Sequence, residues 1–300
     1  MYHNIIICEP NKKSIETANT HLKEYLFRDD VNYIRAKQQH DHLVDTLKMF
    51  EIHVISLNEL LPKDLSTQEM ANLLFTRDTF IHTPKGIVIG RMKEKVRQIE
   101  CEVMEHIFRR LNQQILYKME APETLEGGDY VYKNGITFIA IGTRTNLMGA
   151  YKLMHYDILG SYKVALVECE QPDTDMHRIH LDCYCAPFGD NYCLLWKELL
   201  NINTAYQRIV KEYILQEDGT YAPSGIKESL FSYLIKNNFN VIPISTRSHY
   251  NYGCNILELH NGVVLVQDEE SHKKIKNSIM IPFDEIHHMY GGIHCATNTL

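Results

Sequence analysis

The sequence predicts an α/β domain built from a repeated unit of β-hairpin, helix and strand. Pairs of short β-rich runs joined by a tight turn occur four times, and three of these hairpins precede a helix-like segment and another β-rich run. The composition is that of a packed globular chain, with 44% hydrophobic and 23% charged residues, 15 Gly and 9 Pro. Because no Pro-, Gly- or Ser-rich linker divides the sequence, we predict one domain over residues 1–300.

Before the first hairpin, the sequence predicts two strands and two helices. The strands are expected at residues 4–8 and 53–57, and the helices near residues 14–27 and 36–50. The four hairpins are predicted at residues 79–90, 129–142, 183–195 and 255–266. The helices and strands that follow three of them are predicted at residues 93–111 and 114–117, 146–159 and 162–167, and 271–277 and 278–281.

The turns of these hairpins carry the strongest local signals. Asn134-Gly135 is the dipeptide most typical of a two-residue hairpin turn, and Asn261-Gly262 repeats it in the last hairpin. The four turns are unevenly spaced along the chain, so the repeat is loose. An ordinary α+β domain with several hairpins stays open as an alternative.

Charge and hydropathy exclude several classes of function. With 31 Lys and Arg against 38 Asp and Glu, the net charge is −7, so we expect no nucleic-acid partner. No apolar run approaches the ~20 residues of a membrane-spanning helix, and the N-terminus lacks a signal-peptide pattern, so we expect no membrane association. Without a secretory signal, the eight cysteines are expected to be reduced thiols, which predicts a cytoplasmic location.

Polar residues concentrate in four short segments, each at an edge of a predicted hairpin. The segments are NLLFTRD at residues 72–78, LEGGD at 125–129, IHLD at 179–182 and GGIHCAT at 291–297. In a pseudo-symmetric α/β barrel, equivalent hairpin ends meet at one mouth, so the four segments are expected to form one site. Taken singly, an acidic residue beside glycines is usually a turn, and a lone His or Cys is usually structural.

Together the segments supply three carboxylates, an imidazole and a thiol: Asp78, Glu126, Asp182, His180 and Cys295. Paired carboxylates orient a planar cation such as guanidinium. A bound cation favours the thiolate of a neighbouring cysteine, which is a strong nucleophile. Histidine can protonate a leaving amine and then activate water. This set therefore predicts chemistry on a guanidino group.

The motifs FTRD, LEGGD, GTRT, HLD and GG-x-H-C-x-T, in this order, resemble the guanidino-group modifying superfamily, the penteins. Its members include arginine deiminases, dimethylarginine hydrolases, agmatine deiminases and amidinotransferases, and the motif order most resembles arginine deiminase. The resemblance runs from about residue 30 to the C-terminus. It implies a five-bladed α/β propeller of ββαβ modules.

The resemblance also assigns roles by motif. Cys295 resembles the nucleophile, His180 the general acid/base and Glu126 its acidic partner. Asp78 and Asp182 resemble the carboxylates that hold the guanidinium.

Four further residues resemble parts of the family's substrate pocket. Arg97 and Arg144 resemble arginines that neutralise a substrate carboxylate, whereas Asn72 and Phe75 resemble residues of the pocket wall. Tyr290 stands where many arginine deiminases have Arg, which leaves the substrate open among free, methylated, decarboxylated and peptidyl arginine.

Metal and cofactor chemistry is not expected. His180, Cys183 and Cys185 form an H-x-x-C-x-C pattern, but zinc sites usually add a second pair of ligands elsewhere. We therefore predict a cofactor-free enzyme without a metal, whose partner is a small guanidino compound. The oligomeric state stays open, and a homodimer is compatible with the resemblance.

Three functions follow from this interpretation. The first is a hydrolase that cleaves the guanidino C–N bond of arginine or a derivative through a thiouronium on Cys295. The second is an amidinotransferase that passes the amidino group to an amine. The third is a non-catalytic binding protein on the same fold, for which the intact set of Cys295, His180 and three carboxylates would serve no chemical need.

Overall fold

The computed structural model describes residues 4–61, 70–155, 158–169, 173–201 and 204–300. Its helices are α1 (Lys12–Thr20), α2 (Tyr33–Met49), α3 (Leu57–Leu60), α4 (Gln98–Arg110), α5 (Leu147–His155), α6 (Leu230–Lys236), α7 (Thr246–Tyr250) and α8 (Glu269–Lys274). Its strands are β1 (Asn4–Ile7), β2 (His53–Ser56), β3 (Phe80–Thr83), β4 (Gly86–Ile89), β5 (Ile115–Lys118), β6 (Tyr130–Lys133), β7 (Ile136–Ile141), β8 (Lys163–Cys169), β9 (Cys185–Phe188), β10 (Tyr192–Trp196), β11 (Arg208–Leu215), β12 (Tyr221–Ser229), β13 (Asn240–Ile244), β14 (Leu257–Glu258), β15 (Val264–Val266), β16 (Ser278–Met280) and β17 (Asn298–Thr299).

The described strands form five sheets with one shared pattern. In the orders β17-β1-β2, β3-β4-β5, β6-β7-β8, β9-β10-β13 and β14-β15-β16, the first two strands are antiparallel and the last two are parallel. We call the first strand of each sheet its axial strand, because β17, β3, β6, β9 and β14 together line a cavity of about 680 Å³. The architecture is therefore the predicted five-bladed α/β propeller.

The alternation of side chains along the middle strand of each blade explains how neighbouring blades pack. Successive side chains of a strand point to opposite faces. On β1, Ile5 and Ile7 lie in the core shared with the fifth blade, whereas Ile6 lies in the core shared with the second blade. Five such clusters connect each described sheet to the next and the last to the first, which closes the ring.

All four predicted hairpins are confirmed, and so are the helix and strand after three of them. The Asn134-Gly135 turn has φ of 54° and 78°, the left-handed geometry that a two-residue turn requires. The predicted helix near residues 14–27 ends at Thr20, and residues 21–26 form turns instead. Of the predicted helix 146–159, residues 156–157 lie outside the described residues.

In the fourth blade, a second hairpin is inserted after β10, so the helix and strand of the repeated unit do not directly follow the first hairpin. For this reason the sequence pattern did not predict them. Strands β11 and β12 pair with each other, and β11 also pairs with β8 of the neighbouring blade. Helix α6 and strand β13 follow this insertion and complete the unit. Within the described ranges, no helix is long and apolar enough to cross a membrane.

Candidate active site

The residues singled out in the sequence lie where the chain enters the axial strands. Asp78 lies two residues before β3, Glu126 precedes β6, and Asp182 follows His180 just before β9. Cys295 precedes β17. Contacts among these entrances, from Asp78 to His180 and from Asp182 to Cys295, bring together residues that span more than 200 positions of the sequence.

His180 lies between two carboxylates. Its Nε2 is 2.8 Å from Oε2 of Glu126, and its Nδ1 is 3.7 Å from Oδ1 of Asp78. The backbone N–H of Gly128 donates to the same Asp78 oxygen at 3.2 Å. A Cβ at Gly128 would lie 2.8 Å from His180 Nδ1, so only glycine allows this approach.

These contacts determine the charges of the pair. Burial opposes ionisation of His180, but Asp78, Asp129 and Glu126 outweigh it and raise the imidazole pKa to about 10. Burial likewise opposes ionisation of Glu126, but the hydrogen bond with His180 and the charge of Arg144 lower its pKa to about 2. The pair is therefore an imidazolium beside a carboxylate at neutral pH.

Cys295 is 5% exposed and has a carboxylate next to its sulfur. Its Sγ lies 3.7 Å from Oδ2 of Asp182. Burial, then Asp182 and Asp78, raises the pKa of this thiol. An added cation between these two carboxylates would reverse their influence on the sulfur.

Arg97 lies beside the site, and its guanidinium is paired with two carboxylates. Its Nη1 donates to Oδ2 of Asp78 at 2.7 Å, and its Nη2 donates to Oε2 of Glu100 at 2.9 Å. The resemblance assigns Arg97 to a substrate carboxylate, and that role stays a prediction. In this structure the guanidinium holds Asp78 in place.

Arg144 is also buried, but its guanidinium makes fewer polar contacts than that of Arg97. Its Nη1 lies 3.8 Å from Glu126 and 3.9 Å from Glu94, and it has no hydrogen-bond partner among the described residues. Its Nη2 lies 3.6 Å from the sulfur of Met176. A buried guanidinium nitrogen without a partner is available to an anion.

The two predicted pocket-wall residues pack beside the site. Asn72 donates from Nδ2 to the carbonyl of Tyr25 at 2.7 Å, so its amide holds the N-terminal segment. Phe75 is buried, and a Cβ at Gly291 would lie 2.2 Å from its ring. Contact of either residue with a substrate stays a prediction.

Two site residues have no assigned role in the sequence analysis. The Nδ1 of His294 is 2.8 Å from Oδ2 of Asp182, and the Nδ2 of Asn255 donates to Sγ of Cys295 at 3.1 Å. Asn255 lies two residues before β14, the axial strand of the fifth blade. The repeat was the sequence signal that could have indicated Asn255, because four equivalent entrances had already been singled out.

Asp78, Glu126 and His180 offer donor atoms within 4.8 Å of one another, close enough in space to hold a metal ion. A metal ligand must be a neutral imidazole, whereas the raised pKa of His180 favours the imidazolium. The arrangement is better matched to an organic cation than to a metal ion.

The comparisons with known proteins agree with this chemistry. The sequence profile of the family described as "Arginine deiminase" matches residues 62–300. The arginine deiminase of Borrelia recurrentis strain A1 is 33% identical over 138 residues, which are 43% of this chain and 33% of that enzyme. An uncharacterized protein of Bacillus subtilis strain 168, YkgA, is 25% identical over 215 residues, which are 71% of this chain and 68% of that protein.

A solved structure shares the fold along the whole chain. It is DDAH from Pseudomonas aeruginosa, a dimethylarginine dimethylaminohydrolase, in a cysteine-to-serine variant complexed with citrulline. The match has a TM-score of 0.72 at 19% identity and covers 100% of both chains.

Proposed function

This chain belongs to the arginine deiminase family, and we propose that it hydrolyses the guanidino C–N bond of arginine or an arginine derivative. The observation that carries the proposal is the placement of His180 between Asp78 and Glu126, with Asp182 beside Cys295. The citrulline bound to the DDAH variant is the ureido compound that such hydrolysis of arginine yields, which supports the reaction class.

In the first half-reaction, Asp78 and Asp182 hold the substrate guanidinium. Its positive charge neutralises the two carboxylates that raise the thiol pKa, so binding favours the thiolate and the thiol proton is released to solvent. The Cys295 sulfur then attacks the guanidino carbon and forms a neutral tetrahedral species. The imidazolium of His180 donates its proton to the departing nitrogen, and the C–N bond breaks to leave a thiouronium on Cys295.

In the second half-reaction, the neutral His180 takes a proton from a water molecule as its oxygen attacks the same carbon. The C–S bond then breaks, and its electron pair returns to the sulfur. The remaining proton on the product oxygen is lost to solvent, and a ureido product leaves. Glu126 stabilises the imidazolium at both ends of the cycle, as its 2.8 Å contact requires.

The far end of the substrate is expected near Arg144. Its Nη1 lacks a hydrogen-bond partner among the described residues, and a substrate carboxylate would supply one. We therefore favour substrates that retain a carboxylate over decarboxylated ones.

All eight cysteines are free thiols, which supports a reducing, cytoplasmic location.

A panel of arginine, methylated arginines, agmatine and peptidyl-arginine tests the proposal through the ureido product and the released ammonia or amine. We expect turnover of at least one compound and none with Cys295→Ser, because a serine hydroxyl is far harder to ionise than a thiol. Cys193→Ser, which changes a buried thiol on β10, is the matched control and should retain turnover. Turnover by Cys295→Ser, or none by the wild type with any compound, would refute the proposal. Transfer of the amidino group to an added amine would instead show an amidinotransferase.

A further inference from the structure

Asn255 occupies the one entrance to an axial strand for which the sequence analysis found no chemistry. It lies just before β14, and its side chain is fully buried. The other four entrances carry the clamp, the base and the nucleophile. An equivalent position in a pseudo-symmetric ring faces the same reacting atoms.

The orientation of the Asn255 amide is determined by its neighbours. Its Oδ1 accepts from the backbone N–H of His294 at 2.9 Å and of Cys295 at 3.3 Å. Both of these groups can only donate, so the oxygen must face them and the NH₂ must face the other way. That NH₂ is directed at Cys295 Sγ, 3.1 Å away.

A second amide holds this arrangement. Gln267 donates from Nε2 to the carbonyls of Tyr252 and Asn255, and its Oε1 accepts from the N–H of Ile293. A Cβ at Gly292 would lie 2.2 Å from Gln267 Nε2 and 2.6 Å from Asn255 Oδ1. The donor is therefore fixed before any substrate binds.

Titratable groups from several elements surround the sulfur. The carboxylates of Asp182 and Asp78 oppose ionisation of the thiol, and His294 and His180 both interact with Asp182. The neutral Cys183 and Tyr252 are electrostatic neighbours of the thiol. The Gly292 backbone and the Asn255 amide lower the thiol pKa, and the amide is a side-chain donor directed at the sulfur.

We propose that Asn255 is a positioning residue whose amide donates to Cys295 Sγ and stabilises the thiolate. The inference rests on the proposed function, because only a nucleophilic cysteine needs this support. A hydrogen bond to a charged acceptor is stronger than one to a neutral acceptor, so the donor favours the ionised sulfur.

The pH dependence of Cys295 alkylation by iodoacetamide tests the inference, with the modified peptide quantified by mass spectrometry. Asn255→Leu removes the hydrogen-bond donor. Asn255→Asp keeps the shape of the side chain but replaces the donor with a negatively charged oxygen. At a pH below the midpoint we expect alkylation about tenfold slower in Asn255→Leu, and slower again in Asn255→Asp. The midpoint of the profile should move up in the same order.

A purely structural role predicts a different result. Thr297→Val removes a buried hydrogen bond of the same segment, from Thr297 Oγ1 to the carbonyl of Ile293 at 2.9 Å, and leaves the Asn255 donor in place. It should therefore lower the melting temperature and leave the alkylation midpoint unchanged. An unchanged midpoint in both Asn255 variants, or an equal displacement in Thr297→Val, would overturn the inference.

The assay remains informative if the reagent reaches the buried thiol slowly. Restricted access lowers the alkylation rate at every pH, whereas thiolate stability moves the midpoint. The ultraviolet absorbance of the thiolate, taken against the matching Cys295→Ser protein, gives the midpoint independently. Neither measurement uses a guanidino substrate, so failure of the proposed function and failure of this inference are separate results.

Discussion

His180 holds a proton at neutral pH because two carboxylates flank its ring. The 2.8 Å contact with Glu126 and the nearby Asp78 raise its pKa to about 10 against the effect of burial. When a guanidinium neutralises Asp78, this support weakens and the proton becomes easier to transfer. One residue can thereby serve as acid in the first half-reaction and as base in the second.

His180→Ala is expected to accumulate a covalent adduct on Cys295. The imidazole donates to the departing nitrogen and then activates water, so its loss should slow resolution of the thiouronium at least as much as attack. Turnover should fall by about 100-fold or more, within the usual range for a general acid/base. Mass spectrometry of acid-quenched protein detects the adduct.

Asp182→Asn is the matched control for this experiment. It removes half of the cation clamp, so substrate orientation should fail before any adduct forms. Adduct in Asp182→Asn, or turnover of His180→Ala close to the wild-type rate, would contradict these roles.

The entrances to the axial strands are the elements that build the site. Short 3-10 turns at Thr76–Thr79, Gly127–Asp129 and Leu181–Cys183 lead into β3, β6 and β9. Each turn carries an aspartate, Asp78, Asp129 or Asp182, whose carboxylate contacts the entrance of another blade. Close approach requires glycine at the second turn, where a Cβ on Gly127 would lie 2.0 Å from the carbonyl oxygen of Arg77.

Gly128→Ala is expected to impair catalysis more than stability. Its Cβ would lie 2.8 Å from His180 Nδ1 and 3.0 Å from Asp78 Oδ1, so the imidazole must move. We expect kcat/KM to fall by about 100-fold, since small displacements of catalytic groups have large effects.

Gly135→Ala is the control, and we expect it to lower stability without impairing catalysis. Its φ is +78° and nothing lies near its added Cβ, so alanine there should cost about 1 kcal/mol of stability and leave kcat/KM unchanged. Steady-state kinetics and thermal unfolding of both variants measure the contrast. Equal effects on kcat/KM would argue against the close approach at Gly128.

Across the whole molecule, ring closure buries charged groups together with the apolar cores. The first and last strands pair with each other, since β1 and β17 form one sheet. Asn298 links this sheet to the second blade, because its Nδ2 donates to the carbonyls of Thr76, Arg77 and Phe80. Cys295, three residues before Asn298, is thereby placed by closure of the ring.

Burial of Asp129 predicts a pH dependence of stability. Burial raises the pKa of this carboxyl to about 7 in the folded protein. A raised folded pKa gives a stability contribution that is complete below the unfolded pKa near 4 and is lost as the pH rises through 7.

Asp129→Asn should remove that loss. We expect a gain of roughly 1–3 kcal/mol in unfolding free energy at pH 8 and little change at pH 4. Denaturant titrations at several pH values measure it, with the exposed Asp190→Asn as control. The opposite trend, with stability lost at pH 8 alone, would contradict a protonated buried carboxyl.

The site could be predicted from sequence where its residues occur in short motifs. FTRD, LEGGD, HLD and GGIHCAT each keep their candidate site residues within a few positions, so local pattern was enough to single them out. Asn255 could not be singled out in this way. Its proposed donor role depends on Oδ1 contacts with residues 39 and 40 positions away.

By itself, the sequence determined the hairpin units, because turn dipeptides and strand alternation act over a few residues, and its short motifs singled out the candidate site residues. Only the tertiary structure decided which units close the ring, where the β11–β12 insertion lies, and which partner each charged group has. Carboxylates that other blades supply raise the pKa of both His180 and Cys295, which favours the imidazolium and opposes the thiolate. Coulombic interactions and desolvation depend on distance in space, which sequence separation does not specify.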